Sequence, residues 1–121
     1  KEQVNITIQG SGEETRAFCY IDDAINGVIL ATTQGNDRNV YHVGTDQEIR
    51  ILELVSLIGE CLNIEINVHA GALQEGSTFR RCPDISKLRM LGYQPNTELK
   101  EGLKKTIAWY KEYFVNKEFS I

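Results

Sequence analysis

The stretch GSGEETRAFCYIDDA, Gly10 to Ala24, gathers side chains able to do chemistry: glutamates, an arginine, a cysteine and paired aspartates around two glycines. Arg16 is the residue that most needs explaining. The chain is 121 residues long with a net charge of −4, so an arginine set among acids either pairs at the surface with Glu13 or Glu14 or is kept for an anion. A guanidinium offers five donors in a planar fork, grips phosphate oxygens two at a time and stays charged at any relevant pH. Arg80 and Arg81 form a second basic spot, readable as a solvated pair or as loop arginines that reach a phosphate or ribose. Asp22 and Asp23 have no further oxygen ligands nearby, so helix capping explains both better than a metal or an acid–base pair.

Other reactive types are scattered. His42 and His69 stand alone, without a nucleophile or metal partner in sequence, and read as structural. Cys19, Cys61 and Cys82 form no C-x-x-C pair, so reduced, packed cysteines in a cytoplasmic protein are expected. No metal site is expected. The acidic balance argues against nucleic acid, which demands many cations against phosphates. Apolar runs such as Gly27 to Ala31 fall far short of a membrane span, and the first residues lack a secretory pattern.

These residues need elements to hold them. Composition is that of a folding chain, 41% hydrophobic and 25% charged, with room for one core. Val4, Ile6 and Ile8 alternate as a strand that ends at Gly10-Ser11-Gly12, and a second alternation follows from Thr15 to Ile21. Asp22-Asp23 then opens a helix with Ala24, Ile25, Val28, Ile29 and Thr32 on its apolar face. Val40 to Gly44 reads as a strand. Ile51 to Leu62 is apolar nearly all round, predicting a largely buried helix packed on two sides. Ile64, Ile66 and Val68 give a third strand. A short helix is expected over Asp84 to Leu91, stopped by Gly92. The last helix, with Thr97 as N-cap, carries Leu99, Leu103, Ile107, Tyr110 and Phe114 on one face, and lysines and glutamates on the other.

The pattern G-x-G-x-x-x-R-x-F-x-Y-x-x-D (Gly10, Gly12, Arg16, Phe18, Tyr20, Asp23) is followed in order by VYHVGTDQEIRILEL, RRCPDISKLRMLGYQP and LKEGLKKTIAWY. This ordered set, from about Val4 to Tyr110, resembles the C-terminal part of extended short-chain dehydrogenases/reductases acting on nucleotide sugars: epimerases, dehydratases and decarboxylases. The resemblance implies an α/β fold of short strands with about four helices. It also implies one domain over residues 1–121 that binds substrate and belongs to a longer enzyme. A start at Lys1, with Met90 the only methionine, suits a piece of a longer chain. In the complete enzyme NAD or NADP sits on a Rossmann domain of the same or a partner chain, and the fragment alone binds none and is inactive.

The resemblance also assigns residues. Arg16 stands where the family's motif arginine touches the substrate diphosphate. The family's loop arginine and the aspartate of its Gly-Asp pair, which meet phosphate and ribose, fall here on Gln74 and Ser77 around Gly76. Neutral side chains there hydrogen-bond without charge. Ala17 replaces a common aspartate, and Arg50 a common Ser or Thr cap. Substrate-binding candidates are therefore Arg16, Gln74, Ser77, Arg80 and Arg81, with no catalytic residue. The family's catalytic pair is a tyrosine activated by a lysine four residues on. Tyr113 and Lys117 match that spacing but follow the family's last motif, so Tyr113 is read as packing and Lys117 as a charge near a helix end. No glycine-rich turn for a dinucleotide pyrophosphate is present. The alternative is a non-catalytic remnant binding nucleotide or protein. Either way, apolar surface made for a Rossmann domain would be exposed or covered by self-association.

Overall fold

The computed structural model describes residues 2–118, without the side chains of 115–118. The α/β expectation holds, with four helices and five short strands among the described residues. Strand β1 (Gln3–Gln9) pairs in parallel with β4 (Glu65–Gly71), Val4 opposite Ile66 and Ile8 opposite Ala70. Their half-buried residues alternate along both strands, as the sequence pattern requires. A second sheet runs in the order β3 (Glu48–Arg50), β2 (Thr15–Ala17), β5 (Arg80–Arg81), the first pair antiparallel and the second parallel. Gly10 donates its N–H to Gly71 O, so the chain leaves β1 tied to the end of β4 and then enters the second sheet.

Helix α2 (Ile51–Leu62) has the predicted limits and lies between β4 and α4 (Leu99–Glu118), packed on two sides as its sequence demands. Only Val55 and Gly59 are buried, so it is less enclosed than its composition predicts. Asn63 ends it in the left-handed conformation, φ 57°, with its N–H on Glu60 O and Gly59 O. The fully buried centre lies elsewhere. Ile85, Leu88 and Tyr93, around the short α3 (Ser86–Arg89), are packed by Leu30, Ala31, Tyr41, Val43 and Leu91. Gly92, φ 94°, stops that segment as expected. Asp84 accepts the Ser86 N–H at 2.9 Å, so the helix begins two residues later than predicted.

Several expectations are corrected. Val40 to Gly44 is not a strand: Tyr41 and Val43 turn into the core, Gly44 O accepts the Tyr93 hydroxyl at 2.8 Å, and no strand among the described residues pairs with the segment. Helix α1 (Ile21–Gln34) does not bury its apolar face. Ile25, Val28 and Ile29 are about half exposed, and the helix meets the core through Gly27 and Ala31. A Cβ on Gly27 would lie 2.8 Å from Val43 Cγ1, so close approach explains the glycine. Neither Asp22 nor Asp23 caps α1, whose flanking Tyr20 makes no side-chain cap. Asp23 is buried and reaches across to accept the N–H groups of Thr97 at 2.9 Å and Asn96 at 3.2 Å. Thr97 is thus held just ahead of α4 and is not its N-cap, because the helix starts at Leu99 with Gly102 N–H on Glu98 O. On α4, Leu99, Leu103 and Ile107 are half-buried as predicted, but Tyr110 and Phe114 are exposed.

Candidate functional site

Three arginines converge where β2 meets β5. Arg16 on β2 and Arg80 and Arg81 on β5 line an open cleft of about 670 Å³, with Phe18 and Pro83 supplying apolar wall. The register puts Thr15 beside Arg80 and Arg16 beside Arg81. Two segments far apart in sequence thus bring their cations together on the central and one edge strand of a three-stranded sheet.

Arg16 is half-buried and partly committed. Its Nη1 donates to Thr15 O at 2.7 Å and Phe79 O at 3.1 Å, and its Nη2 to Thr78 O at 2.8 Å. The guanidinium therefore anchors the loop that precedes β5. Those contacts use three of five donors, leaving Nε–H and one Nη2–H with no acceptor among the described residues. The surface-pair alternative fails. Glu13 binds Arg50 at 3.1 Å, and Glu14 is turned into its own loop. Arg81 places Nε on Thr78 Oγ1 at 3.0 Å and has no carboxylate partner among the described residues, whereas Arg80 is paired with Glu48 at 2.6 Å. The cleft keeps a positive excess, since one carboxylate faces three guanidinium groups.

Gln74 and Ser77 do not line the cleft. They close a turn through Ser77 N–H to Gln74 O at 3.0 Å, with Gly76 at φ 78°, and Gln74 is exposed. Sequence reasoning missed Glu48, because nothing in local spacing announces a partner 32 positions away. It also offered Glu14 only as a surface partner for Arg16, whereas its carboxylate accepts Gly12 N–H at 2.8 Å, Ser11 N–H at 3.1 Å and Ser11 Oγ–H at 3.2 Å. The backbone of Glu14 itself and of Ser11 hold that carboxyl below its usual range, against burial that pushes it up. Arg50 is no serine-type cap, since a guanidinium accepts nothing. Glu53 instead accepts the Arg50 N–H at 3.2 Å and the guanidinium at 2.7 Å.

His42 and His69 are exposed, and no cluster of metal-ligating side chains occurs among the described residues. Cys19, Cys61 and Cys82 are free thiols. Cys19 lies 3.7 Å from the Tyr93 hydroxyl, whose proton is held tightly by burial and by that thiol. Tyr113 stacks on Trp109 at 5.2 Å between centroids, a packing role, while the side chain of Lys117 lies outside the described residues. The loop after β1 does not fit a dinucleotide pyrophosphate: Ser11 and Gly12 already point their N–H groups at Glu14, and the chain continues into β2 rather than a helix. Among the described residues no helix is long and apolar enough to cross a membrane.

The chain resembles parts of known proteins. Residues 1–44 match the NAD dependent epimerase/dehydratase family. UDP-glucuronic acid decarboxylase 3 from Arabidopsis thaliana is 34% identical over 99 residues, 81% of this chain and 29% of that protein. UDP-glucose 4-epimerase from Thermotoga maritima, solved with UDP-glucose, superposes with a TM-score of 0.84 at 26% identity, over 91% of this chain and 36% of that one. UDP-glucuronic acid 4-epimerase from Bacillus cereus, solved with UDP-glucuronic acid and NAD, gives 0.83 at 28%, over 90% and 36%. The chain thus spans about a third of the length of the proteins it matches.

Proposed function

Because the chain belongs to the NAD-dependent epimerase/dehydratase family and matches the C-terminal portion of its extended members, we propose that it holds the diphosphate of a nucleotide sugar. The redox step would be carried out with NAD or NADP on a Rossmann part outside these residues, and the chain alone would turn nothing over. The observation that carries this reading is the arginine-lined cleft: Arg16 retains two donors and Arg81 is unpaired by any described acid. In such a site the protein supplies position and charge while the cofactor carries the hydride chemistry. Arg80 would join once Glu48 is displaced, and Gln74 and Ser77 would meet the nucleotide only if their turn folds toward the cleft. The free cysteines suit the cytoplasm.

The exposed face of α1, with Ile21, Ile25, Val28 and Ile29, is the surface we assign to the Rossmann part, or to a second copy where that part is missing. Calorimetric titration with UDP, GDP and dTDP tests the reading. Saturable binding that is lost in Arg16→Ala supports it. Equal binding in that variant refutes it. The neutral turn at Gln74 and Ser77 favours the second reading, a non-catalytic remnant. That reading predicts nucleotide binding with no turnover when a Rossmann part is supplied.

A further inference from the structure

The loop from Gly10 to Glu14 is closed by a buried carboxylate that the proposed binding role leaves unused. Glu14 is only 5% exposed, and among the described residues no basic side chain pairs with it. A carboxylate is stable under such cover only when hydrogen bonds replace its water. Here they come from Ser11 and Gly12, in a turn whose glycines Gly10 (φ 91°) and Gly12 (φ 89°) have left-handed backbone. Successive N–H groups converging in this way form a cradle for an anion, and Glu14 fills it. A Cβ on Gly10 would come within 2.5 Å of Glu14 Oε1, and the left-handed backbone there favours glycine as well.

The same loop is fastened on its other side. Gly12 O accepts the Leu52 N–H and Glu14 O the Ile51 N–H, both at 3.0 Å, so its carbonyls satisfy the first turn of α2. Thr15, the next residue, donates its N–H to Phe79 O at 2.9 Å, and Arg16 follows. Strand β2 has three residues, paired with β3 on one side and β5 on the other, and Arg16 is two positions from the carboxylate, so the loop that closes on Glu14 leads directly into it. From these contacts we infer that Glu14 is a positioning residue: by filling the Ser11–Gly12 cradle it sets where Arg16 enters the cleft. The inference deepens the proposed diphosphate site and rests on that reading for its effect on ligand.

The test uses side-chain NMR of Arg16 in the ligand-free chain, with UDP affinity as second readout. In Glu14→Ala the Arg16 Nε–H resonance should move and broaden, while signals of the Ile85, Leu88 and Tyr93 core stay in place, and UDP affinity should fall about tenfold. Glu14→Gln keeps an acceptor for Gly12 N–H and should restore most of both. If Glu14→Ala does not fold, Glu14→Asp carries the test, because it keeps the charge and shortens the reach by one methylene, so the Arg16 signal must still move. An Arg16 signal unmoved in a folded Ala or Asp variant overturns the inference whatever the ligand does. UDP affinity unchanged in Arg16→Ala instead overturns the proposed function and leaves the placement of Arg16 by Glu14 to be judged by its own resonance.

Discussion

Replacing Asp23 by alanine should cost about 2 kcal/mol of folding free energy. The carboxylate is 6% exposed and joins the first turn of α1 to the chain entering α4 by accepting the N–H groups of Asn96 and Thr97. Asn96 is exposed and Thr97 half-buried, so water replaces the first partner more readily than the second. Leaving about one buried donor unpaired costs about 1–3 kcal/mol. The assay is urea unfolding, where a loss of this size with an unchanged slope moves the midpoint by about 1 M. Asp23→Asn keeps one acceptor oxygen and should lose less. The pH dependence has a definite sign. Burial pushes this carboxyl up, but the Thr97 and Asn96 hydrogen bonds and the Lys105 charge outweigh it, so its folded value lies below the unfolded 3.8. The associated stability is therefore complete well above pH 3.8 and fades as pH falls through that value toward the lower folded one. An unfolding free energy for Asp23→Ala within about 0.5 kcal/mol of the parent would refute the tie.

Other outcomes follow from the same contacts. Leu88→Ala, at a site with no exposure, should cost about 2–5 kcal/mol by urea unfolding. Gly27→Ala should destabilise by about 1–3 kcal/mol despite alanine's helix preference, because its Cβ would press on Val43 and Tyr93. Tyr93→Phe removes the bond to Gly44 O and should cost about 1 kcal/mol in the same assay. Val28→Lys with Ile29→Lys should leave folding within about 0.5 kcal/mol by urea unfolding, since both side chains are about half exposed and sit outside the core.

Legibility differed by residue. The β1 and β4 alternation could be read directly because each is a local period with one buried face, and the limits of α2 because its apolar run from Ile51 to Leu62 is bounded by polar residues. Val40 to Gly44 misled because β-branched and aromatic residues suit a strand, yet a strand requires a neighbour; here Tyr41 and Val43 satisfy the core instead. The α1 face misled for a related reason: helical spacing reports that Ile25, Val28 and Ile29 are apolar together, not that anything in these residues covers them. At the site, Arg16 was visible as a cation out of keeping with its surroundings. Its contact with the Thr78–Phe79 carbonyls, Glu48 on Arg80, and Asp23 on Thr97 are all long-range pairings that no local pattern encodes. Glu14 carried a faint signal: an acid two residues after a Gly-x-Gly turn is placed to fill that turn's own N–H groups.

If the chain holds a nucleotide diphosphate as proposed, the phosphorus NMR spectrum of UDP reports it at the atoms concerned. Both phosphate resonances should shift and broaden on adding the chain and return to their free positions with Arg16→Ala, while uridine should not compete. Uridine displacing UDP, or an Arg16→Ala spectrum matching that of the parent chain, would contradict the account.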